Sequence, residues 1–120
     1  LMVGEGIESS LAARAIAGFP TWSAINQNQM TKLVIPDYVE AVIVWADRDQ
    51  NDVGQSAAFE LVSRLRKAGK RAVCVIPPFS IPAGEKTVDW NDVLRSIGLE
   101  EARKLPAVLQ VLEPLRASLN

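Results

Sequence analysis

The chain reads as an α/β domain: about four mainly parallel strands flanked by helices, in the manner of a Rossmann-type sheet. Three observations predict this class. Short apolar runs alternate with helical segments, as strand–crossover–strand units do. The runs at residues 41–46 and 72–76 are continuously apolar, which suits parallel strands covered on both faces. Two apolar runs also stop abruptly at carboxylates, Val3-Gly4-Glu5 and Val44-Trp45-Ala46-Asp47, and strand tips of this kind are where open α/β sheets carry their ligands.

Each element has a local reason. Residues 1–4 read as a first strand, with Gly4 and Gly6 bracketing Glu5. Ser9 and Ser10 open a helix of small residues over 9–17, and Gly18 stops it. Residues 21–25 form a short second strand. The polar stretch 26–32 reads as a loop, and Val34-Ile35-Pro36 as a brief edge segment. The third strand is 41–46. A helix follows over about 53–68, where Ala57, Ala58, Leu61, Val62 and Leu65 keep a helical period and Gly69 is the natural stop. The strand at 72–76 ends at Pro77-Pro78, and a loop holding Pro82 and Gly84 runs to about residue 86. A short helix begins near Asp89-Trp90-Asn91-Asp92. A last amphipathic segment carries Leu105, Val108, Leu109, Leu112 and Leu115, with Pro106 and Pro114 expected to limit any single long helix. Right-handed crossovers would put helices on both faces of the sheet. The expected organisation is one domain over 1–120, with a core of about 1–97 and a helical extension over about 99–119. Opening almost directly inside a strand, it reads as a module of a longer polypeptide.

Composition narrows the chemistry. A chain of 120 residues can bury a real core. Its formal net charge is −1, so no strongly basic surface advertises nucleic acid. The one basic concentration, Arg64-Leu65-Arg66-Lys67-Ala68-Gly69-Lys70-Arg71, reads first as a solvated helix end facing the negative pole of the helix dipole. Phosphate contacts by Lys67, Lys70 and Arg48 are the secondary reading. There is no histidine, which removes Ser-His-Asp and Cys-His catalysis and histidine-based zinc sites. The single Cys74 sits in an apolar run, reads as a core residue, and leaves no disulfide within the chain. A reducing, cytoplasmic location is expected, with no signal peptide and no membrane span.

The carboxylates carry the most information. Asp47 and Asp49 are two apart, so on an extended backbone both side chains point to one side and can share a cation. With Glu5 from another strand tip they suit a hard cation such as Mg²⁺, with Mn²⁺ as a substitute. The competing reading is that Asp49, Asn51 and Asp52 cap the following helix. That reading is strongest for Asn51 and Asp52. It is weakest for Asp47, because a carboxylate directly after a buried run is costly without a partner. Glu8 reads as a first-turn acid of its helix, and Asp89 as an N-cap with Asp92 at the third position. A calcium-binding EF-hand loop starting at Asp47 needs glycine at its sixth position and glutamate at its twelfth, where this chain has Asp52 and Ala58. A haloacid-dehalogenase-type phosphatase motif continues into Thr or Val, where this chain has Gln50-Asn51.

Gly4-Glu5-Gly6-Ile7-Glu8-Ser9-Ser10-Leu11-Ala12-Ala13, together with Ala46-Asp47-Arg48-Asp49 and Gly54, resembles the Toprim domain, the catalytic module of topoisomerases and DnaG-type primases. Asp89-Trp90-Asn91-Asp92 is similar to the Asp-x-Asn-acid segment of phage and mobile-element primases and primase-helicases. The resemblance covers residues 1 to about 97. It implies Mg²⁺ held by the Asp47–Asp49 pair with Glu5 as general acid or base or as a ligand, and Asp89 joining the metal centre. It implies phosphodiester chemistry in DNA replication, as part of a nucleotidyltransferase. The implied partners are a single-stranded DNA template and nucleotides, met through a longer protein with a zinc-binding or helicase neighbour. A Toprim nuclease of the overcoming-lysogenisation type would use the same carboxylates. A Toprim-like module that only recruits a partner is the non-enzymatic alternative.

Overall fold

The computed structural model describes residues 1–119, of which Val53, Gly54 and Leu119 are described in their backbone alone; Asn120 lies outside the described residues. Four parallel strands form the central sheet: β1 (Met2–Gly4), β2 (Thr21–Ser23), β3 (Ala41–Trp45) and β5 (Arg71–Val75), in the order β2-β1-β3-β5. Among the described residues, helices α1 (Ile7–Ala17), α2 (Gln27–Lys32), α3 (Val53–Lys67), α4 (Trp90–Arg103) and α5 (Pro106–Leu119) surround it. A second, two-stranded antiparallel sheet joins β4 (Arg48–Asp49) to β6 (Thr87–Val88).

The period-2 alternation of the strands divides the core in two. Met2, Ile43, Trp45 and Val75 face α1, α4 and α5, where they bury Ile16, Trp90, Val93, Val108 and Leu112. Val3, Val42, Val44 and Ala72 face α2 and α3, where they meet Met30, Ala58, Leu61 and Leu65. The continuous apolar runs exist because both faces of β1 and β3 are covered. Cys74 packs against the second core, and burial pushes its thiol up to about 12, so it is an inert packing group. No helix among the described residues is long and apolar enough to cross a membrane.

Several local expectations are corrected. Residues 27–32 form a helix where a loop was expected, because Asn26 caps it by accepting the Gln29 N–H at 2.9 Å. The Val34-Ile35-Pro36 segment is not a strand; the carbonyl of Leu33 just before it is taken by Arg64. The first helix starts at Ile7, two residues early, since Gly6 in an extended conformation serves as its N-cap. β2 ends at Ser23 because Ile25 turns to φ 77°. The helix opening at Trp90 is short, as expected: the backbone leaves helical geometry at Gly98 (φ 83°, ψ 166°), and a second helical stretch completes α4 to Arg103. Pro106 starts α5, as a proline can. Pro114 lies inside that helix rather than ending it. Pro114 and Gln110 are both exposed, so the carbonyl freed four residues earlier can be solvated.

Candidate metal centre

Glu5 follows β1 directly, and Asp47 stands two residues beyond the end of β3. These strands are hydrogen-bonded neighbours with Gly4 opposite Trp45. Both carboxylates therefore leave the same sheet edge from adjacent strands. A third arrives through the small sheet. Arg48 pairs with Val88 and Asp49 with Thr87, and one further step of that antiparallel register brings Asp47 opposite Asp89. The Gln50 N–H, donating to the Lys86 carbonyl at 2.9 Å, closes the ladder. Glu5, Asp47 and Asp89 thus line one open cleft of about 330 Å³, with Gly6, Ile7, Glu8, Ser9 and Ile25 around them.

Packing holds these positions. A Cβ on Gly4 would fall 2.4 Å from Ser10 Oγ and 3.0 Å from Ser10 Cα, so β1 can turn into α1 only with bare backbone there. Ser10 Oγ donates to the Gly6 carbonyl at 2.7 Å, and the buried Ser9 donates from Oγ to Asp47 Oδ1 at 3.1 Å. Below the cleft, Trp45 and Trp90 meet edge to face with centroids 4.8 Å apart. Trp90 Nε1 donates to the Val75 carbonyl at 3.3 Å, and Trp45 Nε1 points to Met2 Sδ at 3.2 Å. Trp90 is adjacent to Asp89 and Trp45 is two residues before Asp47, so one indole pair anchors both acids.

The electrostatics follow from crowding. Burial, then the charge of Glu5, and to a lesser degree Asp89 and Asp49, push the Asp47 carboxyl up to about 7, against the opposing Ser9 hydrogen bond. Burial and the charge of Asp49 raise Glu5, while a hydrogen bond with Asp47 opposes them. Asp89 is raised by burial first; the Asp92 amide opposes this, while the charges of Asp92 and Glu8 add to it. Such groups favour a proton or a cation between them.

The remaining candidates divide. Asp49 is a residue of the antiparallel β4 and does not end a parallel strand; its N–H donates to Gln55 Oε1 at 2.9 Å, and its charge acts on Glu5 and Asp47. It does not line the cleft. Asp89 is the N-cap of α4 in a full capping box: its side chain accepts the Asp92 N–H at 2.7 Å, and Asp92 Oδ2 accepts the Asp89 N–H at 3.0 Å. Glu8 is the first-turn acid of α1. Asp52 occupies the N-cap of α3 at φ 58° but makes no side-chain cap hydrogen bond. Arg48 belongs to the ladder, opposite Val88, and donates from Nε to the Pro77 carbonyl at 2.9 Å.

Lys67 and Lys70 are not brought to the acidic edge. They lie at the amino end of β5, the opposite end of the sheet from Asp47. Lys70 Nζ is held by the carbonyls of Pro36, Asp37 and Val39. Arg64 takes the carbonyls of Thr31 and Leu33, and Arg66 that of Ala72. Much of the basic run thus satisfies backbone acceptors that α2, the following turn and β5 leave open.

Among the described residues no three carboxylates stand close enough to form a ready-made chelate. The donor set is nonetheless all oxygen, with Glu5 and Asp47 near enough to share a hydrogen bond. Mg²⁺ is commonly held by one or two carboxylates, with waters and substrate phosphates completing its shell. The residues therefore fit that ion: Glu5 and Asp47 would hold it, and the charges of Asp89 and Asp49 would add to the negative field there. Ser9 and Ile25 are participants that sequence reasoning did not single out. A serine on the buried face of a small-residue helix was the available signal for Ser9; Ile25 offered none.

A family model described as the Toprim domain matches residues 1–100. No curated protein and no solved structure matches the chain.

Proposed function

The chain belongs to the Toprim domain family, and from that premise we propose that it is the Mg²⁺-dependent catalytic module of a DNA primase or primase-helicase, working in the cytoplasm within a longer protein. Toprim domains occur in primases, nucleases and topoisomerases and generally bind Mg²⁺. The observation that carries the reading is the meeting of Glu5, Asp47 and Asp89 in one cleft at the carboxyl edge of the sheet. The Asp89-Trp90-Asn91-Asp92 segment supports the primase branch through its similarity to the Asp-x-Asn-acid segment of such primases, and it also supplies the third carboxylate.

When bound, the cation would neutralise charge developing on a phosphate and lower the pKa of an oxygen nucleophile. The chain's own residues do the rest. Asp47 and Glu5 present two oxygen donors from neighbouring strands. The Ser9 hydroxyl orients Asp47. Glu5, whose carboxyl is raised above the ordinary range first by burial, is the residue placed to accept or return a proton. Template and nucleotides are the proposed partners, reached together with a zinc-binding or helicase neighbour.

A priming assay with labelled nucleotides on single-stranded DNA tests this in the longer protein. Mg²⁺-dependent primer synthesis abolished by Glu5→Gln is expected. Nicking of plasmid DNA without any primer synthesis would replace the primase with a nuclease, and neither activity would leave a binding module.

A further inference from the structure

The acidic cleft does not stop at its carboxylates. Ile7 borders it and also borders a second groove of about 220 Å³, lined by Ile7, Ser10, Leu11, Arg14, Thr21 and Ser23. Ile7, Leu11 and Arg14 stand at i, i+4 and i+7 of α1, which is one helix face. Cleft and groove are therefore one continuous surface running along the outer strand of the sheet, from three carboxylates to a cation.

Its chemistry is unusual for a solvated face. Ile7 and Leu11 are each 65% exposed, and Ile25 is 69% exposed. Ile25 is also held at φ 77°, a left-handed conformation that a β-branched residue seldom adopts. Its N–H donates to Ser23 Oγ at 3.2 Å, and Ser23 Oγ donates to the Glu5 carbonyl at 3.2 Å. The backbone is thus fixed so that an aliphatic side chain stands at the mouth of the cleft. At the other end, Arg14 is exposed, and among the described residues its guanidinium has no hydrogen bond or ion pair.

We propose that the groove between α1 and β2 seats a single-stranded nucleic-acid segment, with Ile7, Leu11 and Ile25 against its bases and Arg14 on a backbone phosphate. This rests on the reading above that the adjoining carboxylates act on a phosphodiester. A nucleic-acid strand is the occupant that combines flat apolar bases with regularly spaced anions. Apolar side chains hold unstacked bases, and a lone cation meets a phosphate. The apolar rim supplies what the net charge of −1 withholds, a contact that does not depend on basic residues.

The test uses chain 1–120, a short labelled oligodeoxythymidylate and fluorescence anisotropy at low salt, with and without Mn²⁺. Ile7→Ser and Leu11→Ser are expected to weaken binding about threefold to tenfold each. Arg14→Gln is expected to reduce the slope of log affinity against log salt by about 0.7, the value of one single-strand phosphate contact. Ile25→Asn is the separating variant, since asparagine tolerates the left-handed conformation. It should raise the melting temperature by roughly 3–6 °C while weakening binding, whereas a purely structural Ile25 would not move the two in opposite directions. Unchanged affinity in Ile7→Ser and Ile25→Asn, or an unchanged salt slope in Arg14→Gln, overturns the proposal. Displacement of the oligonucleotide by dTTP but not by inorganic triphosphate would assign the groove to the incoming nucleotide and also overturn it. So would a dimer in sedimentation that Leu11→Ser disperses, since the occupant would then be a second copy. Priming by the longer protein that ignores Ile7→Ser and Arg14→Gln overturns this inference alone and leaves the catalytic reading intact. Oligonucleotide binding that responds to these variants, in a protein that neither primes nor cleaves, supports the groove while the catalytic reading fails.

Discussion

Ser9 Oγ donates a hydrogen bond to Asp47 Oδ1 at 3.1 Å, joining the first turn of α1 to the tip of β3 across 38 positions of sequence. Ser9 is only 3% exposed, and the bond it makes to Asp47 is part-buried. It is a side-chain tether between the two halves of the cleft, and it favours the charged form of an acid that its other surroundings disfavour.

Ser9→Ala should therefore cost more at high pH than at low pH. At pH 8 Asp47 is ionised and loses its donor, so the loss should be about 1–2 kcal/mol. At pH 5 Asp47 is protonated and the loss should be smaller. Urea unfolding at both pH values measures the difference, and Ser9→Thr should restore much of it. An equal loss at both would mean that Ser9 only fills space.

The metal-free chain should grow less stable as pH rises from about 4 to about 7. The folded carboxyl of Asp47 sits near 7, against an ordinary value of 3.8, so in that window the folded chain holds a proton that the unfolded chain has released. Stability then falls with rising pH and levels off above 7. Asp47→Asn removes the Asp47 share of this dependence and should stabilise the metal-free fold at pH 8 by about 1–2 kcal/mol, allowing for solvent screening. A variant less stable than wild type at pH 8 would contradict the crowding described here.

Gly4→Ala should destabilise the fold by about 1–3 kcal/mol, as overpacking does. The added Cβ meets Ser10 Oγ at 2.4 Å and Ser10 Cα at 3.0 Å, and a backbone atom cannot swing aside. Gly6→Ala, where a Cβ would meet nothing within 4 Å, is the matched control. Similar losses in the two would place the cause outside this contact.

On its own the chain should bind single-stranded DNA weakly and with strong salt sensitivity, and should synthesise no measurable primer. Its net charge is −1, and Arg64, Arg66 and Lys70 spend hydrogen bonds on the protein's own carbonyls. DNA affinity draws largely on cations free to meet phosphate. Robust Mg²⁺-dependent priming by residues 1–120 would show that the active site is already complete.

The central sheet and the positions of Glu5 and Asp47 were legible because buried parallel strands write themselves as apolar runs, and the residue after such a run must lie at an edge. The Asp89 capping box was legible for a similar reason, since its spacing is local. The β4–β6 ladder was not. Two residues paired across about 40 positions leave no period to detect, and that ladder is what brings Asp89 to Asp47. It also changes the account of Asp49, which sits in the ladder rather than at a strand tip. The short α2 was hidden because its capping residue, Asn26, belongs equally to turns. The partners of Arg64 and Lys70 were not legible, because a sequence shows where charges are, and the acceptors at Thr31, Leu33, Pro36 and Val39 that engage them are set by tertiary packing.

The most direct test is a calorimetric titration of Mn²⁺ into metal-free wild type, Asp47→Asn and Asp52→Asn at pH 8. Asp52 holds φ 58° without a side-chain cap bond, and asparagine tolerates that conformation, so its variant removes a nearby charge and little else. The account predicts Mn²⁺ binding by wild type and Asp52→Asn alike, with at least about a tenfold loss in Asp47→Asn. Equal losses in the two variants, or Mn²⁺ binding indifferent to Asp47, would contradict a metal centre at the tips of β1 and β3.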